Sequence, residues 1–313
     1  MNPKSGPKDF FLWAGAMIAL WGGVIAFLAL TFDYINYAYP DVLAYQPNPY
    51  QGSMPYEMAS LIVLGPLFLI LMRVIRREIA ADPSRNEIWV RRWALYLTLF
   101  AAGATIVVDL IVLITTFLSG EELSIRFLLK VVLVLLVASA GFMHFIADLW
   151  GYWKQNPAYV RYVNYATGLL VVLTIAAGFL IVGSPQQARQ MRLDDQRIND
   201  LQNIQSQVIY YWQQKSALPA ALSDLNDPLS YWQMPLDPAT GQPYTYKRYS
   251  PLDFGLCATF AAVGDSAMGY ARPVAPYGVK GTQDNWAHVA GEVCFDRSID
   301  PQLYPPAKPS PVN

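Results

Sequence analysis

The sequence predicts an α-helical membrane bundle of five transmembrane helices, followed by an α+β domain outside the cytoplasm. Two observations predict this fold class. Of the 313 residues, 54% are hydrophobic and 14% are charged, whereas about 25% of the residues in a soluble domain are charged. The hydrophobic residues also concentrate in residues 1–183, after which the composition turns abruptly polar, proline-rich and tyrosine-rich. This change divides the chain into a membrane part and a water-exposed part.

Five apolar segments are long enough to cross a bilayer, which requires about 20 residues of helix. The first contains FFLWAGAMIALWGGVIAFLALTF and has no small-residue cleavage site, which favours a retained helix over a removed signal peptide. The second carries Pro66, a residue that can kink a helix. The predicted helices span about residues 9–32, 56–77, 91–118, 123–150 and 159–183.

Lysine and arginine are distributed unevenly among the loops. The N-terminal tail, the loop 73–92 and the loop between helices four and five carry them, whereas the loops 33–55 and 119–124 contain none. Cytoplasmic loops are enriched in these residues. The pattern therefore predicts a multi-pass protein of the cell (inner) membrane, with the lipid bilayer as its first partner, a cytoplasmic N-terminus and an extracytoplasmic segment after Gly183.

Ionisable residues interrupt the apolar sequence of residues 109–130, DLIVLITTFLSGEELSIRFLLK. A charge inside a membrane span costs about 3 kcal/mol on insertion scales. At about 1.5 Å of rise per residue, Asp109 and Lys130 lie about 13 and 9 Å from the outer turn, so they could meet between antiparallel neighbouring helices. Arg126 lies on the same helix face as Lys130 and could pair with Glu121 or Glu122 in the turn.

This outer charge cluster, defined as Asp109, Glu121, Glu122, Arg126 and Lys130, has two interpretations. It could be a structural clamp between helices three and four, with the basic side chains reaching the headgroups. It could instead form an ion relay, or line the polar cavity of a small transporter or channel. A relay needs further titratable groups, and the sequence offers only His144 and Asp148, which are four residues apart and could bond to each other. The clamp is favoured.

The runs RRWALYLTLFAAGATIVVDL and FLSGEELSIRFLLKVVLVLLVASAGFMHFIADL resemble a family of bacterial integral membrane proteins known only as a domain of unknown function. The resemblance covers about residues 10–150, the first four helices. It implies a membrane domain but no activity. The positions that match the family pattern are Arg91, Arg92, Asp109, Gly120, Glu121, Arg126 and Lys130.

Residues 184–300 predict a long helix packed on a small antiparallel sheet. Ser184 is a good N-cap before Pro185, and apolar residues recur at three- and four-residue steps from residue 198 to residue 212. The runs YTYKRY, DFGLCATFAAV and GEVCFDRS are strand candidates. Cys257 and Cys294 fit no zinc motif, so a disulfide is expected outside the cytoplasm, with buried free thiols as the alternative. The proline-rich tail 301–313 is expected to be disordered.

The series YYWQQKSALPAALSDL, MPLDPATGQPYTY and LCATFA follows a membrane helix that enters an amphipathic helix. This order resembles type IV pilins and the pseudopilins of type II secretion, over about residues 160–298. The resemblance implies a pilin-like globular head displayed outside the membrane. Helix five follows four other spans and lacks the glutamate that pilins carry early in this helix, so the resemblance does not imply assembly into a pilus by the usual route.

The absence of several sequence motifs limits the functions that the sequence predicts. It contains no G-x-S-x-G, phosphate-binding loop or H-E-x-x-H motif, so neither enzyme activity nor a cofactor is expected. Asp265, Asp284 and Asp296 lack the spacing of a calcium loop, so no metal site is expected. A net charge of -1 argues against nucleic acid as a partner. The sequence therefore predicts a structural or protein-interaction role, as in an envelope or pilus-type machine, with the transporter or channel as the alternative.

Overall fold

The computed structural model describes residues 6–40, 52–82, 88–226, 232–264 and 286–306, without the side chain of Lys154. The chain divides into two compact units, Met1–Gly183 and Ser184–Asn313. They are called here the helical unit and the sheet unit. Among the candidate residues, Asp265 and Asp284 lie outside the described residues, as does the part of the proline-rich tail from residue 307 onwards.

The helical unit of the described chain is built of long α-helices. Five of the helices in the described chain are long and apolar enough to cross a membrane, as the sequence predicts. The second continues through the arginine-rich run RVIRREIAA, because arginine and glutamate are good helix formers outside the apolar core. The helices are α1 (Pro7–Ala38), α2 (Met54–Ala81), α3 (Trp89–Leu118), α4 (Ile125–Leu149), the short α5 (Tyr152–Gln155) and α6 (Pro157–Val182).

The turn between α3 and α4 is built by local chemistry. Gly120 adopts φ 72°, a left-handed conformation that glycine accepts readily. Ser124 then caps α4, because its hydroxyl oxygen accepts a 3.2 Å hydrogen bond from the Phe127 N–H. The two helices leave this turn as packed neighbours, and α1 packs along α2 in the same unit.

The interior of the helical unit consists of two separate apolar clusters. One surrounds Trp13 and Met17 of α1, and the other surrounds Leu30 of α1 and Met58 of α2. Most large apolar side chains lie outside these clusters, and Leu180 is 87% exposed. A surface of this kind suits contact with lipid, since large exposed apolar areas are rare on soluble monomers.

The sheet unit begins with α7 (Pro185–Lys215), and a reciprocal capping box forms at the N-terminus of this helix. The Ser184 hydroxyl accepts from the Gln187 N–H at 3.2 Å, and the Gln187 side chain accepts from the Ser184 N–H at 2.9 Å. The helix ends at Lys215 with Ser216 as its C-cap, and a short 3₁₀ helix follows at Leu222–Leu225.

Three antiparallel strands, in the order β1-β2-β3, form the sheet of the described residues. They are β1 (Thr245–Arg248), β2 (Asp253–Phe260) and β3 (Gly291–Ser298). The apolar face of α7 and the inward side chains of the strands form the core of this unit, as the periodicity predicts. The core includes Leu201, Ile204, Val208, Trp212, Phe254, Leu256 and Phe295.

The predicted disulfide is present. Cys257 of β2 and Cys294 of β3 stand directly opposite each other in the strand register and are bonded through their sulfur atoms. The bond joins two residues that are separated by 37 positions in the sequence. It therefore restricts the unfolded chain and stabilises the pairing of the central strand with an edge strand.

Candidate functional site

The outer charge cluster does not form the predicted clamp. Asp109 lies within α3, and its Oδ2 atom is buried without a hydrogen-bond partner. The Lys130 ammonium of α4 lies 5.4 Å from the centroid of the Phe32 ring of α1. Among the described residues no ion pair joins Asp109 to Lys130. The short turn makes α3 and α4 neighbours, but the rotation of α4 directs Lys130 toward α1.

The acidic members of the cluster in the turn are also apart from the basic ones. Glu121 and Glu122 are both exposed. No ion pair within the described chain links either of them to Arg126. These two carboxylates are therefore surface groups of the turn.

The ion pair that does join α3 to α4 lies at the opposite end of the two helices. Arg91 donates a 2.7 Å hydrogen bond to Asp148 Oδ2. His144 does not bond to Asp148; its ring lies 5.1 Å from the Trp153 ring, and its carbonyl oxygen accepts from the Trp153 indole N–H at 2.9 Å. The two residues considered for a relay, His144 and Asp148, therefore both form structural contacts.

A pair of carboxylates that the sequence analysis missed lies where the end of α1 meets the start of α2. Asp33 Oδ2 accepts a 2.6 Å hydrogen bond from the Ser53 hydroxyl. Glu57 is 8% exposed and lies close enough to interact with both Asp33 and Ser53. Its Oε2 atom is buried without a hydrogen-bond partner in the described chain. Asp33 and Glu57 are called here the carboxylate pair.

The signal for the carboxylate pair in the sequence is weak. Asp33 follows one apolar run and Glu57 precedes the next, which is where acidic residues ordinarily mark the ends of membrane spans. Their proximity depends on α1 and α2 packing side by side, and the long intervening loop does not reveal this. The feature of the sequence that points to this pair is that two acidic residues flank one predicted outer loop.

The helix α6 closes the surroundings of the carboxylate pair. Tyr34 donates a 2.7 Å hydrogen bond to the Thr174 carbonyl oxygen. Gly178 lies so close to α1 and α2 that a Cβ atom there would be 2.6 Å from Met58 Sδ and 2.7 Å from the Tyr34 hydroxyl. Glu57 therefore lies against the packed interior of the helical unit, whereas Asp33 is half-buried.

The sheet unit has its own buried charge network. Arg197 of α7 donates to Asp194 at 2.6 Å and to Asp237 at 2.5 Å. Asp194 also accepts from the backbone N–H groups of Ala261 and Ala262 at 2.9–3.0 Å. The network ties α7 to the end of β2 and to the turn that begins at Asp237.

The charges of this network are satisfied internally. Burial alone would raise the pKa of Asp237, but hydrogen bonds from Arg197 and from the N–H groups of Thr240 and Ala239 bring it down to about 2. Tyr244 donates a 2.7 Å hydrogen bond to Asp200, and burial together with this carboxylate raises the pKa of the phenol. Groups held in this way stabilise the unit.

An open groove of about 300 Å³ lies on the surface of the sheet unit. Its walls are about equally polar and apolar, and the Ser223 hydroxyl is one of the polar groups. The Tyr246 hydroxyl beside it donates to the Pro219 carbonyl oxygen at 3.1 Å. The lining residues are Ala220, Ala221, Leu222, Ser223, Met234, Pro243, Tyr244 and Tyr246.

Glu292 lies beside the disulfide of Cys257 and Cys294. A metal ion would need deprotonated thiolates from the cysteines. Because both sulfur atoms are bonded to each other, this cluster is not a metal site. Of the aspartates considered for calcium, the described Asp296 is an exposed residue of β3.

The helical unit has the architecture of a multi-pass protein, with five helices long and apolar enough to cross a membrane in the described chain. Residues 9–145 match the model of the family DUF5671, a domain of unknown function. This match lies within the first four helices and is consistent with the predicted resemblance to an uncharacterised domain family. No curated protein and no solved structure matches the chain. The resemblance of residues 160–298 to pilins stays a prediction.

Proposed function

We propose that this protein is a membrane-held display protein of the bacterial inner membrane. The helical unit anchors it, and the pilin-like sheet unit binds a partner protein outside the cytoplasm. The observation that carries the proposal is that the sheet unit is a compact body with its own apolar core and a disulfide. A disulfide is favoured in an oxidising compartment, in agreement with the orientation that the loop charges predict.

The charges of the sheet unit also support a binding role over a catalytic one. Arg197, Asp194 and Asp237 bond to one another, and Asp200 bonds to Tyr244. The described surface offers a partner an open groove beside Tyr246, with walls about equally polar and apolar. Non-obligate protein interfaces are about as apolar as the rest of a protein surface, so a mixed groove suits a protein partner.

Affinity capture of the full chain from gently solubilised membranes tests this proposal. The same partner should be recovered in replicate captures, and Met234→Arg in the groove should reduce its recovery. Val289→Arg is the matched control, since Val289 is exposed and does not line the groove. Recovery of the protein alone, or equal recovery of the partner with Met234→Arg and the parent, would contradict binding at the groove.

A small transporter or channel is the second candidate function. The observation that favours it is the presence of two buried carboxylate oxygens, Asp109 Oδ2 and Glu57 Oε2, without hydrogen-bond partners among the described residues. Ionisable groups inside membrane helices commonly mark ion or substrate pathways. Proton or cation flux in vesicles should then fall with Asp109→Asn and stay unchanged with the exposed Glu122→Gln. Absence of flux in the parent protein excludes this function.

A further inference from the structure

The carboxylate pair places two acids around a single hydroxyl donor. Ser53 immediately precedes the first residue of α2, and its hydroxyl donates to Asp33 Oδ2 at 2.6 Å. Glu57, in the first turn of the same helix, interacts with both Ser53 and Asp33. A hydroxyl group has one proton to donate. Within the described residues, the Ser53 hydroxyl therefore has one proton for two carboxyl groups.

Glu57 provides a second and independent observation. Its side chain is more than nine-tenths buried, yet Oε2 has no hydrogen-bond partner in the described chain. Burial of a carboxylate is unfavourable unless it is paired, and a second carboxylate beside it adds repulsion. The site therefore needs a positive charge near Glu57. Either neighbouring side chains supply that charge or a bound ligand does.

The nearest side chains do not neutralise Glu57. Tyr34 uses its hydroxyl proton on the Thr174 carbonyl oxygen, so that proton is not directed at Glu57. Lys130 lies over the Phe32 ring, and its charge acts on Asp33 without forming an ion pair with it. Within the described residues no lysine or arginine forms an ion pair with either acid of the carboxylate pair.

We propose that Asp33, Glu57 and the Ser53 hydroxyl bind a divalent cation that prefers oxygen ligands. The cation would join the end of α1 to the start of α2 and neutralise the buried Glu57. Ca²⁺ fits better than Mg²⁺, because Ca²⁺ accepts the irregular geometry that ligands on separate helices provide. The site is independent of the display function and of a partner protein.

The proposal is tested on the full chain, purified in detergent and freed of metals with a chelator. Mn²⁺ serves as the probe, since binding removes the EPR signal of the free ion. A single saturable Mn²⁺ per chain should bind near neutral pH and be displaced by Ca²⁺. Glu57→Gln and Asp33→Asn should each weaken Mn²⁺ binding about tenfold or more, because even groups behind the ligands commonly contribute that much.

The matched control is Glu122→Gln, which removes an exposed carboxylate from the turn between α3 and α4 and should leave Mn²⁺ binding unchanged. Parental affinity in Glu57→Gln overturns the proposal. So does an absence of saturable binding in the parent, which would mean that Asp33 and Glu57 share a proton. If Glu57→Gln fails to fold, the more accessible Asp33→Asn decides: parental Mn²⁺ affinity in that variant overturns the site.

Discussion

Arg91 donates a 2.7 Å hydrogen bond to Asp148 and thereby joins the first turn of α3 to the last turn of α4. The two side chains are 16% and 29% exposed. At the other end of the same helix pair, Gly120 and the Ser124 cap form the connecting turn. The antiparallel pair is therefore fixed covalently at one end and by an ion pair at the other.

Asp148→Asn should lower the free energy of unfolding of the helical unit by about 1–2 kcal/mol. The reason is that hydrogen bonds to charged groups contribute about 1.5–3 kcal/mol, and this one is partly exposed. Denaturant unfolding in detergent micelles measures the loss. Lys8→Met is the control, since Lys8 is 65% exposed in its ion pair with Glu78, and such pairs contribute about 0–1 kcal/mol. An equal loss in both variants would show that the Arg91 contact is not a clamp.

Gly178→Ala should destabilise the packing of α6 by about 1–3 kcal/mol, the usual cost of an added methyl group in a filled interior. Its Cβ atom would lie 2.6 Å from Met58 Sδ, so that side chain must move. Gly168→Ala, in the same helix, meets nothing within 4 Å and should stabilise by about 0.5–1 kcal/mol. The same unfolding assay compares the two. Opposite signs are expected, and stabilisation by both variants would contradict the close approach of α6.

The elements were predictable from the sequence because their signals are local. The five long apolar helices and the strands around Cys257 and Cys294 follow from hydropathy, periodicity and turn residues. The contacts between helices were not predictable in the same way. Spacing places Asp109 and Lys130 at similar depth, but the rotation of each helix about its axis decides which side chains meet.

The same reason explains why the carboxylate pair and the ion pair of Arg91 with Asp148 were missed. Arg91 and Asp148 are 57 residues apart, and each looks like an ordinary charge at the end of a span. Asp33 and Glu57 meet only because α1 and α2 pack side by side. In the sheet unit, nothing local to Asp237 pointed to its bond with Arg197.

Arg197→Met should destabilise the sheet unit by about 3–5 kcal/mol, because it leaves two buried carboxylates without their cation. The side chains of Arg197 and Asp194 are only 7% and 4% exposed. Hydrogen exchange of α7 and β2 peptides, measured on the full chain, should show lost protection. Arg192→Met is the matched control, since Arg192 is exposed on the same helix and should leave protection unchanged. Equal protection in Arg197→Met and the parent would show that the charge network does not stabilise the sheet unit.

Acid should weaken the sheet unit through Asp237. Its pKa in the folded chain is about 2, because the hydrogen bonds from Arg197 and from two backbone N–H groups outweigh its burial, and this is below the value of about 3.9 in an unfolded chain. The carboxylate therefore stabilises the fold fully above about pH 4 and loses this effect as the pH falls toward about 2.

Asp237→Asn provides the measurement of that acid effect. At pH 5 the variant should be cleaved faster than the parent by an acid-active protease, because it lacks the charge that Arg197 binds. Near pH 2 the two rates should converge, since the parent has then lost the same charge. Comparison at each pH cancels the pH dependence of the protease itself. A difference that stays constant from pH 5 to pH 2 would show that Asp237 contributes through its shape and hydrogen bonds and not through its charge.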